Sequence, residues 1–443
     1  MTLRDRQSNP RILNDSALWR TVLDKTCGNL NMVFRLALCF VALALTASMA
    51  HARTIYRDVT ATHVPKAPDL HALSVVFVDV DKDGDLDVVL AVENGANRLY
   101  LNDGHGRLTW RPGAFGTEAH DSEHVLSADF NGDGFPDLIF VAEDDKAHQL
   151  FLGAPGGSFI DASQRLPVRS VGNALAVGDV NGDGLPDIVV GNSGDWRDRK
   201  RIAGSGQNFL WLNDPARPGT FIDATATHLP SYDDDTQDIA LVDIDGDGHL
   251  DMIVANEVPP NRLLRNDGRG RFTEVSDRLD LRVPMETRQV HVFDATGDGK
   301  PDILFLNITS NTAGWKKDPQ ARLLVNDGRG FFVDETSRRM PPNTFSTYAG
   351  TIVDFNRDGF PDIILGPVRI PVFGPLRVRA YENDGKGGFR DVTRRVIPRK
   401  TDGRNWGMAV GDLDGDGIED IFIGGWGTQA RLLLGTRAPT SRR

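Results

Sequence analysis

Asp179-Val180-Asn181-Gly182-Asp183-Gly184-Leu185-Pro186-Asp187 is one of seven copies of the spelling D-x-(D/N/T)-x-D-G-x-x-D, which open at Asp79, Asp129, Asp179, Asp243, Asp294, Asp354 and Asp412. The copies recur every 50 to 64 residues or so, a regularity that marks a repeat architecture. Position five is Asp83, Asp133, Asp183, Asp247, Asp298, Asp358 and Asp416; position nine is Asp87, Asp137, Asp187, Asp251, Asp302, Asp362 and Asp420. Glycine holds position six throughout, so a set of unrelated solvated turns does not explain the pattern.

A hard divalent ion such as Ca²⁺ takes about six to eight oxygen ligands, and carboxylates at alternating positions of a tight loop converge on one point if the chain bends sharply between them. Glycine supplies the bend because it tolerates positive φ. Up to seven Ca²⁺ sites are therefore expected. Position three varies: Asp81, Asp245 and Asp414; Asn131, Asn181 and Asn356; and Thr296. Ligand charge tunes affinity, so the site opening at Asp294 is expected to be the weakest.

An EF-hand also begins D-x-D-x-D-G, but it needs a bidentate Glu at position twelve and flanking helices. Position twelve here is Leu90, Phe140, Val190, Val254, Phe305, Leu365 and Ile423. The flanks read as strands, such as Val75 to Val78 and Val88 to Val92 around the first loop. A third strand of N-R-L-x-L type follows (Asn208 to Leu212, Asn261 to Arg265), then an N-D-G-x-G turn such as Asn266 to Gly270, a strong hairpin signal. A fourth strand is spelled F-x-(D/E)-x-(S/T), as in Phe159 to Ser163 and Phe272 to Ser276. Four strands per period, apolar on both faces near the loop, describe propeller blades packed between neighbours.

The last unit stops after its third strand, Ala430 to Leu434, whereas Tyr56 to Thr60 has the fourth-strand spelling and no unit of its own. Joining them completes an all-β, seven-bladed propeller of four-stranded blades over residues 53–436, with no open edge to promote association.

These repeats resemble the FG-GAP and VCBS families, the calcium-loop propeller repeats also found in the integrin α-subunit head; Gly153-Ala154-Pro155 carries the letters of the family name. The resemblance covers residues 54 to 436. It implies bound calcium and a ligand face opposite the metal loops, but no single task, because such propellers serve adhesion, glycan binding, scaffolding and catalysis.

Residues 1–52 read as a leader whose core, 32–52, is a secretory signal: Arg35, an apolar run from Leu36 to Ala47, and small residues before cleavage after Ala52. The run is too short to leave a comfortable membrane span. Met32 is an alternative start. Cys27 and Cys39 both fall in this leader, so the mature chain has no disulfides and a secreted or periplasmic setting leaves calcium as its cross-link. Residues 437–443 form a basic tail. Removing the leader deletes six Lys/Arg and three Asp/Glu, taking the formal charge from −12 to −15. That sign disfavours nucleic acid and suits ligand supply to cations.

Insertions between second and third strands carry Trp196, Trp315 and Phe373 onto the expected ligand face. Inter-blade segments add His120, His124, Asn173, Asp235, Gln237, Arg288, His291, Tyr348, Arg404 and Trp406. Polar surface loops are the ordinary reading of each residue singly; together they suit recognition on a rigid ring. The leading expectation is a secreted module that binds a protein or glycan. An axial polysaccharide lyase or hydrolase using His124, Arg288, His291 or Tyr348, and a structural scaffold, are the alternatives. The sequence carries no nucleophile elbow, Walker loop, H-E-x-x-H or Rossmann glycine pattern.

Overall fold

The computed structural model describes residues 54–197, 200–258, 260–309, 318–370 and 372–436; the leader with its two cysteines, the basic tail and Trp315 lie outside them. The first six metal-loop repeats each fold as an antiparallel four-stranded unit in sequence order, exemplified by blade four: Thr236–Val242, Asp251–Asn256, Arg262–Asn266 and Phe272–Glu274. Its second strand is buried along its whole length, as are Asp137–Ala142 and Asp420–Gly425. A strand covered on both faces reads as a continuous apolar run, which is why strict alternation is missing there.

The first strands form a ring. Ala72–Val78 touches His120–Ala128, which touches Gly172–Gly178, and the order continues through Thr236–Val242, Glu286–Phe293, Ser346–Val353 and Asn405–Gly411 back to Ala72–Val78. Apolar clusters fill the spaces between successive units: Ala174, Val189 and Leu210 of one pack with Ile239, Met252 and Val254 of the next. The junction between last and first units is equally apolar, with Phe422, Leu432 and Leu434 against Val88, Leu90 and Tyr100.

Closure occurs as the spellings predict. Tyr56–Asp58 pairs antiparallel with Arg431–Gly435, Tyr56 opposite Gly435 and Asp58 opposite Leu433. The hydroxyl of Thr60 accepts the Leu432 N–H at 3.0 Å. The same bond recurs from Leu150 to Ser163 (3.1 Å), Leu210 to Thr225 (3.0 Å) and Leu323 to Thr336 (2.9 Å) within single repeats, so the borrowed strand is chemically equivalent to a native one.

Deleting residues 54–61 removes no loop carboxylate yet exposes the edge of Arg431–Gly435 and uncovers Tyr56's site in the core. Exposed edges template pairing between chains. Light scattering should show association and calorimetry a lost or broadened transition; a monomer that melts like the parent would contradict this closure.

Candidate functional site

Each loop is first a hydrogen-bonded device. The position-one carboxylate gathers the amides of the turn: Asp243 accepts from Gly246 (2.7 Å), Asp247 (3.1 Å) and Gly248 (2.8 Å). Position nine is buried in every copy, 2% exposed at Asp87 and 0% at Asp137, Asp187, Asp251, Asp302, Asp362 and Asp420. In every copy but the sixth, one of its oxygens takes an amide from the start of the loop and the other an amide from the third strand; Asp362 takes only the third-strand amide of Asn383 (2.8 Å). Asp251 accepts from Ile244 (3.2 Å) and Asn266 (2.7 Å), and Asp137 from Phe130 (2.9 Å) and Gly153 (2.8 Å).

The Asn of the N-D-G turn does more than turn the chain. Asn266 donates from Nδ2 to the Leu250 carbonyl of its own loop (2.9 Å) and to Val180 in the preceding blade's loop (2.8 Å). Asn102, Asn213, Asn326 and Asn383 likewise reach Leu413, Phe130, Ile244 and Ala295. These bonds couple metal loops around the ring, a role that a turn signal alone did not reveal.

The loops fit a cation. Where position three is Asp, carboxylates of positions one, three and nine lie within 4.8 Å of one another: Asp79, Asp81 and Asp87; Asp243, Asp245 and Asp251; Asp412, Asp414 and Asp420. Buried oxygens without a hydrogen-bond partner occur at Asp81 Oδ1, Asp245 Oδ1 and Thr296 Oγ1, all at position three, and at Asp362 Oδ2. An orphaned buried acceptor costs free energy unless something binds it. Burial foremost, with neighbouring loop carboxylates adding to it, pushes Asp87, Asp187 and Asp420 up to about 7 and Asp137, Asp251 and Asp302 up to about 6. In the fourth loop Arg265 already bridges Asp245 (2.9 Å) and Asp247 (2.8 Å), an internal competitor that position-three charge did not anticipate.

At the other end of each first strand lies a second constellation. Every first strand shifts register near its start, leaving one bulged region: Leu73, Glu123, Asn173, Gln237, Arg288, Tyr348, and Trp406 with Gly407. Bulges re-aim side chains. Leu73, Glu123, Asn173, Gln237, Arg288, Tyr348 and Trp406 all line one cavity of about 220 Å³. Each stands six residues before its metal loop, so at about 3.3 Å per residue the cavity and the loops are about 20 Å apart at opposite ends of the strand.

A second ring comes from the ends of the second strands, fourteen residues beyond each loop's first Asp: Glu93, Glu143, Ser193, Glu257, Ile308, Val368 and Trp426. The two rings divide the mouth unevenly. Blades six and seven supply aromatic rings: Tyr348 and Trp406 have centroids 4.0 Å apart, and Trp406 and Trp426 stack at 5.7 Å. Phe373, carried in by the blade-six insertion with φ +46°, lies 6.0 Å from Trp406 and 5.8 Å from Trp426.

Blades one and two supply acid. The blade-one second strand runs on to pair Glu93 with Asp121, and Glu93, Asp121 and Glu123 bring carboxylate oxygens within 4.8 Å of one another. Arg288 meets Glu257 (2.6 Å) and Gln237 nearby, with Glu286 at 3.6 Å.

The mouth thus gathers His124, Arg288, Tyr348, Phe373 and Trp406 from the residues expected there, with Asn173 and Gln237. His291 stands elsewhere on the same first strand as Arg288, and its Nε2 is buried without a hydrogen-bond partner. Burial pushes both His124 and His291 down to about 4, leaving them neutral. Arg404 lies 5.4 Å over the Trp426 ring. His120 does not join the cavity; it turns to Asp145 at 2.9 Å. Trp196 is on a side hairpin opposite Arg201, whose guanidinium meets Asp233 at 3.0 Å in blade four. Glu93, Glu123, Glu143 and Trp426 were missed, although their constant offsets from the loops were the available signal.

The FG-GAP-like repeat model matches residues 79–140, 129–190, 201–254, 243–305 and 372–423, more than half of the chain. The chain belongs to this family. FG-GAP-like relatives include cartilage acidic protein 1 of Xenopus tropicalis, 28% identical over 204 residues, covering 44% of this chain and 29% of that protein. The human protein of the same name is 29% identical over 203 residues, with 44% and 29% covered, and the Mus musculus one 26% over 276, with 60% and 39% covered. The FG-GAP-like chain spans less than two fifths of these relatives' length. A crystal structure of BBS1N in complex with ARL6DN, soaked with lead, aligns at TM-score 0.49 and 11% identity, covering 87% of this chain and 99% of that one. Among the described residues no helix is long and apolar enough to cross a membrane.

Asp137→Ala should leave the Phe130 and Gly153 amides buried without acceptors, at a cost of about 1–3 kcal/mol each. Urea unfolding should show that loss with and without divalent cation; an unchanged midpoint would remove the structural role assigned to position nine.

Proposed function

We propose that this protein is an extracellular, calcium-stabilised propeller that presents a ligand-binding mouth at the end of the ring away from its metal loops. The observation that carries the reading is the convergence of all seven bulged segments on one cavity. A register shift repeated in every blade positions side chains there, and rigid elements hold such sites better than loops do. Four aromatic rings at the mouth suit recognition, since interface energy concentrates in a few aromatic and Arg side chains. The leader reading and the cartilage in the relatives' name support an exported protein acting as a binding module. The protein or glycan it engages follows from the mouth and not from the fold.

Calcium would be held by positions one, three, five and nine of the loops, where it would neutralise carboxylates that burial otherwise penalises. A group whose folded-state pKa is raised makes the fold less stable as pH climbs from the unfolded value toward the folded one. The cation-free protein therefore loses stability as pH rises from about 4 to 7, whereas bound calcium holds the carboxylates ionised. A site filled at 100 times its dissociation constant adds about 2.7 kcal/mol.

In chelator the melting temperature should fall between pH 5 and pH 7.5, and with millimolar calcium it should rise over the same interval. Superimposable pH profiles with and without calcium would overturn the calcium assignment.

A further inference from the structure

Glu123 sits half-buried in the mouth with no hydrogen bond or ion pair to any other described residue. Its neighbours cannot neutralise it. Glu93 accepts from the Trp426 indole and from His71 (3.0 Å), Asp121 from the Asp144 amide (2.9 Å), and Glu143 from Ser193 (2.7 Å) and Asn173 (3.1 Å). Among the described residues the one guanidinium lining the cavity, Arg288, is engaged by Glu257 and Gln237. The cavity therefore gathers more carboxyl groups than cations, beside a continuous aromatic wall. Arg404 over Trp426 and Arg288 over Tyr348 at 5.1 Å show that these rings already accept cations.

We propose that the axial mouth binds an alkylammonium group, with Glu123, Glu93 and Asp121 supplying counter-charge and Trp406, Trp426, Phe373 and Tyr348 packing the carbon around the nitrogen. The inference rests on the reading of the mouth as the ligand site and names the chemistry it selects. Aromatic faces attract cations through their quadrupole, most strongly when water is excluded, and aromatic cages are the known solution for substituted ammonium. A divalent metal fits less well: it wants about six to eight oxygens, whereas the aromatic side of the cavity offers carbon. A neutral sugar would leave the carboxylates uncompensated in a site that penalises them.

Burial, then Glu143, Asp121 and Glu93, hold the Glu123 carboxyl well above its ordinary range, with Arg288 opposing them. A bound cation favours the ionised form, so ammonium binding should strengthen as pH rises.

The test is titration calorimetry of the full chain in saturating calcium, which keeps the loops filled. Choline is compared with 3,3-dimethylbutanol, its uncharged isostere, and with acetate. Spermidine and N-acetyl-lysine-methylamide distinguish a free amine from a lysine side chain as the source of the same group. Choline or one of the amines should bind at least tenfold more tightly than the isostere, and acetate not at all.

Glu123→Gln, which keeps shape and removes charge, should weaken that binding at least tenfold, and Trp426→Leu should do likewise, with melting curves checking that both variants fold. Equal binding of choline and its isostere, binding unchanged in both variants, or no binding by any amine overturns the ammonium assignment. If a neutral glycan then binds and is lost in Trp426→Leu, the mouth remains the ligand site and only its chemistry was misassigned.

Discussion

A buried carboxylate that accepts two backbone amides, in every loop but the sixth, is the constraint on which the blades depend. Position nine of the loop lies between the start of that loop and the end of the third strand, so one side chain sets the spacing of three segments. Asp251 does this for Ile244 and Asn266, and Asp420 for Leu413 (2.8 Å) and Gly435 (2.7 Å) at the seam where the ring closes. The arrangement places negative charge where water cannot screen it. A cation bound in the loop would offset that penalty, which would tie the local fold to the ion and let the mature chain expected here manage without disulfides.

The coupling does not stop at one blade. Because Asn266 reaches the carbonyl of Val180 and Asn326 that of Ile244, and three more Asn do the same, five of the seven loops have backbone held partly by the next blade. Disturbance at one metal site has a direct path to its neighbours. The mouth, about 20 Å away along strands that rise about 3.3 Å per residue, receives the rigidity of the ring without sharing its ligands.

Most of the architecture was legible in the chain because it depends on short-range spelling. The loop pattern, the two-sided apolar second strand, and the Ser or Thr that ends the fourth strand each serve a local hydrogen-bond need, and Tyr56 to Thr60 betrayed ring closure by that means. The mouth was only half legible. Arg288, Tyr348, Phe373 and Trp406 were found as polar or aromatic residues between blades or in an insertion, but Glu93, Glu143 and Trp426 belong to strand ends that otherwise read as core. A bulge shifts which side chain faces inward, and no single repeat announces it; the seven-fold alignment of offsets does. His120, expected with them, stands three residues before the bulge at Glu123 and turns to Asp145 outside the cavity.

Anomalous diffraction from crystals grown in calcium tests the account most directly, because it separates the two kinds of acidic site in one map. Cation peaks are predicted in the loops, beside the orphaned oxygens of Asp81, Asp245 and Thr296, with none among Glu93, Asp121 and Glu123. Loops without peaks, or a peak confined to the axial carboxylates, would contradict it.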